Sequence, residues 1–297
     1  MKPFSFAGPK TLEEMNQVLA QASSHGDVRP IVGGTDLVDQ VKSGRRTPSV
    51  IMDIKRIPEM NRLEWVPGEG LHLGAAVNCT DTAAFSPAIE SYMAIKESCE
   101  LIGSIQIQNR ASVVGNIANS APSADAVPGM LVHEARVVIV GPSGQREVAL
   151  DDFFTGPGRN VLAPDEVILE TIVPPAEDNS SSHYMRFIPR NEMDIAVAGV
   201  ASFVALEPGT RNCTKARIAL ASVAPTPVRA RAAETLLENN EITAELVREA
   251  GEKAVEAASP IDDVRGTVEY RKELVRVLTR RTLLMCMESL GQPLQVN

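Results

Sequence analysis

The chain is poor in the residues that build metal and disulfide frameworks. Its 297 residues include four cysteines and four histidines. Cys79, Cys99, Cys213 and Cys286 lie far apart and form no Cys-x-x-Cys pair, which argues against a resident iron–sulfur cluster or structural zinc. His25, His72, His133 and His183 form no His-x-x-x-His ligand pair, so each reads as a surface or satisfied core histidine. Apolar runs are short as well: none approaches the ~18 residues of a membrane span, and MKPFSFAGPK at the start has no apolar signal region. Cytoplasmic residence is therefore the expectation. Positive charge is in deficit, with 29 Lys and Arg against 38 Asp and Glu and a net charge of −9, and no basic patch marks a nucleic-acid partner.

What is present is enough for a large folded body. Hydrophobic residues make up 44% of the chain, and its length allows two domains. Thr11 and Glu14 have capping-box spacing, and Leu12, Met15, Leu19 and Ala22 follow at helical intervals. Val28–Val32 reads as a strand, Leu37, Val38 and Val41 as the start of a helix, and Val50–Ile54 as another strand, giving one β-loop-α-β unit. Hairpins are expected around Pro67–Gly70 and Gly141–Gly144, with helices at 80–85 and 92–102 and a strand at Ile105–Ile107. EVILETIVPP gives a further strand, and the polar run from Ala176 to His183 reads as a linker. Beyond it, strands at HYMRF, DIAVAGVASFVAL and ARIALASVA precede helices near Pro227, Thr243 and Tyr270. This order predicts an α+β domain with helices on one face of an antiparallel sheet, and no repeated βαβ units of a parallel sheet are seen. The expected division is 1–176, split into lobes 1–56 and 57–176, followed by a smaller domain over 183–291.

Two glycine-bearing stretches carry the chemistry. In Ile31-Val32-Gly33-Gly34-Thr35-Asp36-Leu37, a strand runs into a helix start, where free N–H groups and the helix dipole favour a phosphate. Thr35 is placed to cap the helix and donate a hydroxyl, whereas Asp36 would repel an anion unless it turned to the loop backbone or a ribose hydroxyl. A tight turn with an ordinary N-cap accounts equally well for this loop taken alone. The second stretch crowds Ser112, Asn116, Asn119, Ser120 and Ser123 among Val113, Val114, Gly115, Ile117 and Ala118. Its apolar residues indicate burial, and buried polar groups need partners. Asp125 ends it as an acceptor suited to a sugar hydroxyl or an adenine amino group. Neither stretch has the G-x-G-x-x-G spacing of a dinucleotide-binding Rossmann turn.

Together these stretches resemble the flavin-binding signature of the FAD subunits of molybdenum hydroxylases, a group that includes the medium subunit of aerobic carbon monoxide dehydrogenase and the middle domain of xanthine dehydrogenase. Ile31–Leu37 is similar to the first pyrophosphate loop and Ser112–Asp125 to the second. The second usually reads T-I-G-G-N, and Val114 stands here in place of its first glycine. Ile168, in ILETIVPP, resembles the apolar residue near the flavin. Arg186, where the family often has lysine, and Asp194-Ile195 resemble the segment approaching the isoalloxazine, and APTPVRA and RGTVEYRKELVRVLTRR resemble the C-terminal domain.

The resemblance implies a two-lobed FAD-binding domain of the vanillyl-alcohol oxidase type, non-covalent FAD, and no catalytic side chain of its own. It also implies a large molybdopterin-binding subunit and a small subunit with two [2Fe–2S] clusters, assembled as a dimer of heterotrimers. Electrons would pass from those clusters through FAD to an acceptor such as NAD, a quinone or oxygen. No cysteine-rich insertion of the hydroxybenzoyl-CoA reductase branch is present. Two other readings stay open on the residues: a self-sufficient FAD-dependent reductase or oxidase, and a nucleotide-binding scaffold without redox function.

Overall fold

The computed structural model describes residues 2–21, 26–86 and 91–295. The expected helix residue Ala22 and His25 lie outside them. Strands β1 (Ser5–Ala7), β2 (Val28–Ile31) and β3 (Val50–Asp53) form a parallel sheet in the order β1-β3-β2, connected through helices α1 (Leu12–Ala20) and α2 (Leu37–Lys42). The Thr11 hydroxyl accepts from Glu14 N at 3.1 Å and so caps α1, whose Met15 and Leu19 enter the core. The Glu14 carboxylate takes the N–H of Lys10 rather than that of Thr11, so the reciprocal arm of the capping box is shifted by one residue. Sequence pattern finds only the β2–β3 unit and no parallel sheet. The strand it misses, β1, has three residues and an aromatic, Phe6, that is 67% exposed, so no half-buried alternation marks it.

The second lobe is built on a five-stranded antiparallel sheet in the order β4 (Leu63–Val66), β5 (Gly70–Gly74), β10 (Val167–Val173), β6 (Arg136–Gly141), β7 (Gly144–Ala149). Both expected hairpins are present, β4–β5 and β6–β7. Strand β10 arrives last, after the small hairpin of β8 (Phe154–Gly156) and β9 (Arg159–Asn160), and takes the central place, so all its residues are buried. Between β5 and β6 the described residues include the helices α3 (Cys79–Ala84), α4 (Met93–Leu101), α5 (Ile105–Gln108), α6 (Val113–Asn119) and α7 (Ala126–Val132). The strand expected at Ile105–Ile107 is α5. Its alternating isoleucines do not line a buried face, since Ile105 is 55% exposed, and Gln108 N and Asn109 N close a helical turn onto Ser104 O and Ile105 O.

Past residue 176, β11 (Ser180–Phe187), β12 (Ala198–Leu206), β13 (Cys213–Ala221) and β14 (Val228–Arg229) form an antiparallel sheet in that order. The serines read as linker already belong to β11: Ser182 is buried, where it accepts from Ala94 N at 3.2 Å. Helices α8 (Arg231–Leu237), α9 (Ala244–Ala254) and α10 (Val268–Ser289) follow. The sheet is covered on both faces, and alternation along β12 sorts its residues. Ala201, Phe203 and Ala205 join the core of the preceding lobes, whereas Val200 and Val204 face the helices. This double burial explains why β12 reads as a continuous apolar run. Among the described residues, no helix is long and apolar enough to cross a membrane.

Candidate flavin site

The first glycine stretch leaves β2 and enters α2 without any side-chain cap. Asp36 occupies the N-cap position and makes no capping hydrogen bond, and Thr35, expected to cap, makes no hydrogen bond among the described residues. Gly34 takes φ +73°, a conformation that costs an L side chain strain. The turn is held by Val38 N bonding to Gly34 O and Gln40 N to Asp36 O, both at 3.0 Å. The N–H groups of Gly33, Gly34, Thr35, Asp36 and Leu37 have no protein acceptor among the described residues. Five consecutive open donors at a helix start suit an anion. The Asp36 carboxyl does not turn onto the loop backbone. Loss of surrounding water raises it above the usual carboxylate range, with Arg45 opposing and Asp39 reinforcing the shift.

The second stretch is more self-contained. Ser112 caps α6 by accepting from Gly115 N at 2.9 Å, and Asn116 Oδ1 accepts from Ala126 N at 3.1 Å, tying the start of α6 to α7. Val114 is a helical residue whose side chain is buried in the core, so valine in place of glycine adds its bulk there. Its N–H is the open donor here. Ser120 adopts the left-handed conformation that ends α6.

The two stretches meet directly. A Cβ on Gly33 would lie 1.9 Å from Arg110 O and 2.4 Å from Arg110 C, two residues before the Ser112 cap. Gly33 is therefore required by the approach of the two backbones, not only by space for phosphate as the sequence suggests. Gln40 Nε2 donates to Asn119 Oδ1 at 3.1 Å and joins α2 to α6. Behind the first loop, Lys55 Nζ donates to Val32 O at 3.1 Å and pairs with Asp53 at 2.6 Å, a cation that sequence reading did not single out.

The remaining expected residues are less uniformly placed. Asp125 is buried: Oδ1 accepts from Tyr184 Oη at 2.7 Å and Oδ2 pairs with Arg186 Nη1 at 2.5 Å. Both oxygens are thus engaged, where the sequence suggested an acceptor for a sugar or adenine. Burial pushes the Asp125 carboxyl up, against the pull of Arg186, and burial with the adjacent carboxylate pushes the Tyr184 phenol up. Arg186, whose side chain is 3% exposed, also donates to Leu101 O. Its charge is therefore balanced by Asp125. Ile168 lies in the core on β10, opposite Ile139. Asp194 accepts from Ile195 N at 2.8 Å, and Ile195 is 48% exposed on the loop that reaches Gly103 through Met193 N at 3.1 Å. Leu101, Ile105, Met193 and Ile195 are exposed apolar residues of these segments. No sequence spacing marks Tyr184 or Gln40, whose partners Asp125 and Asn119 are remote in the chain, or Lys55, which meets the backbone oxygen of Val32.

Neighbouring helix starts with open N–H groups, brought together by backbone contact, fit the pyrophosphate of FAD. Comparison with known proteins agrees. Residues 2–176 match the family described as the FAD binding domain in molybdopterin dehydrogenase, and residues 183–286 match the CO dehydrogenase flavoprotein C-terminal domain. The nicotinate dehydrogenase FAD-subunit of Eubacterium barkeri is 30% identical, covering 98% of both chains. The carbon monoxide dehydrogenase medium chain of Hydrogenophaga pseudoflava is 30% identical over 94% of this chain and 96% of that one. The solved carbon monoxide dehydrogenase from Hydrogenophaga pseudoflava superposes with a TM-score of 0.90 at 30% identity, covering 97% of this chain and 99% of that one. Fold and full-length similarity together make this chain a member of the FAD-binding subunit family of the molybdenum hydroxylases.

Proposed function

We propose that the chain is the FAD-carrying electron-transfer subunit of a molybdopterin, iron–sulfur and flavin hydroxylase or dehydrogenase. It would stand between the [2Fe–2S] clusters of a small partner chain and an external acceptor, with molybdopterin held in a large partner chain, in a cytoplasmic dimer of heterotrimers. The observation that carries this reading is the row of open N–H groups from Gly33 to Leu37 set against the start of α6. When bound, the flavin supplies the redox chemistry that no side chain here offers. Residues 1–176 supply the two pyrophosphate loops, with Ile31, Val32, Gly33, Gly34, Thr35, Asp36 and Leu37 on one side and Ser112, Val114, Gly115 and Asn116 on the other. Asp125 and Arg186 join that body to the sheet of residues 183–291, and Ile168, Asp194 and Ile195 bound the ring end. FAD is held without a covalent bond.

Reconstitution tests the reading. The purified chain with added FAD is expected to retain a yellow flavin spectrum, and substrate is expected to bleach it only when both partner chains are present. Bleaching by substrate in the isolated chain would overturn the electron-transfer role, and failure to retain FAD would overturn the site.

A further inference from the structure

Three residues that no glycine loop involves come together where the last helix meets the rest of the molecule. Glu97 lies on α4, His183 on β11, and Ser289 is the last residue of α10. Glu97 Oε1 is 2.8 Å from His183 Nδ1, and His183 Nε2 is 2.8 Å from Ser289 Oγ. The second Glu97 oxygen accepts from Tyr184 N at 2.6 Å, so the carboxylate is fixed at both ends. A carboxylate only accepts, so the hydrogen of the neutral ring sits on Nδ1, and the Nε2 lone pair receives the serine hydroxyl. The histidine is 8% exposed, whereas Ser289 is exposed. A nucleophile bonded to a base, and that base bonded to an orienting carboxylate, is the arrangement that activates serine.

We propose that Ser289 is an activated nucleophile that accepts an acyl group from activated esters, a modification site outside the two glycine-bearing loops. Ser289 Oγ forms a bond to the acyl carbon, and its proton passes to His183 Nε2. The bond from that carbon to the leaving oxygen breaks, and the alkoxide or aryloxide departs with the electron pair. The histidine proton then goes to solvent. Glu97 acts as a positioning residue, holding the ring tautomer.

The surroundings also limit the reaction. The N–H groups of Leu290, Gly291 and Gln292, which follow the serine, are all bonded to helix carbonyls, to Cys286 and Glu288, to Glu288, and to Met287 respectively. No pair of free donors is left there to stabilise an oxyanion, and the C-terminal end of a helix dipole disfavours negative charge. Acylation and deacylation both pass through an oxyanion, so both are slow here; a good leaving group favours the first step, and one acyl group per chain is the expected product.

The test uses the full chain with FAD bound and p-nitrophenyl acetate as the probe. The expected result is a burst of one equivalent of p-nitrophenolate, with the acetyl group located on Ser289 by peptide mass spectrometry. Ser289→Ala is expected to abolish the burst, and Glu97→Gln and His183→Gln to slow it about 100-fold, the usual scale of a lost general base or its orientation. Retained flavin absorbance in each variant shows that the fold is kept. If His183→Gln loses its flavin, Glu97→Gln decides the matter. A burst that survives Ser289→Ala, acetylation confined to lysines, or an unchanged rate in the variant that keeps its flavin would overturn the proposal.

Discussion

The two glycine-bearing loops differ in how they treat their own backbone. The first leaves five consecutive N–H groups open and has no side-chain cap, while the second closes its helix start with Ser112 and ties itself to α7 through Asn116. The second also continues into Asp125, which Tyr184 and Arg186 hold from the C-terminal sheet. One loop supplies donors and the other supplies support. Glycine serves different ends accordingly: Gly34 permits a positive φ, whereas Gly33 permits the loops to touch.

The strongest way to break this contrast is to remove the support. Asp125→Asn leaves the Arg186 guanidinium buried without its counter-charge, and its Nε already lacks a partner. Breaking one side of such a buried pair costs about 3–5 kcal/mol. Urea unfolding of the FAD-free chain is expected to show that loss, and a change below about 1 kcal/mol would mean that the C-terminal sheet does not brace the second loop. Gly33→Ala comes next. Its methyl group would meet the Arg110 backbone at 1.9 Å, and forcing backbones apart costs roughly 1–3 kcal/mol. Both stability and FAD retention are expected to fall, measured by unfolding and by flavin absorbance after gel filtration. Unchanged unfolding with lost flavin would instead assign Gly33 to the phosphate alone.

Much of this contrast lies beyond what local sequence pattern shows. Helix starts, the two hairpins and the strand into Gly33 are legible because capping, alternation and turn residues act over a few neighbours. The bond between Asp125 and Arg186 spans 61 residues, and no spacing rule announces it. Val114 stands where the resemblance implies glycine; its apolar neighbours already point to burial, and the helix around it shows why the valine fits, with its side chain in the core. Alternation at Ile105–Ile107 misled because a single helical turn can imitate it. The serines at 180–182 look like a linker, but all three lie on β11, and Ser182 is buried between Ala94 N and His133. The open helix start after Gly33 is legible in the sequence; what holds the two loops together is not.

The finest test compares one hydroxyl on each loop. Ser112→Ala removes the cap on Gly115 N and is expected to cost about 1 kcal/mol of stability without FAD, the usual worth of an N-cap. Thr35→Ala removes a hydroxyl with no hydrogen bond among the described residues, so the FAD-free chain is expected to change by less than about 0.5 kcal/mol. FAD affinity is expected to respond in the opposite order. A hydroxyl that meets a charged phosphate oxygen contributes about 1.5–3 kcal/mol, or roughly ten- to 150-fold in Kd, and Thr35 is the one still free to do so. Ser112, already committed to its own helix, should matter less to the ligand than to the fold. Parallel urea and flavin titrations of the two variants separate these effects. If Thr35→Ala lowered stability as much as Ser112→Ala and left FAD binding unchanged, the first loop would be a structural turn and not the donor side of the site.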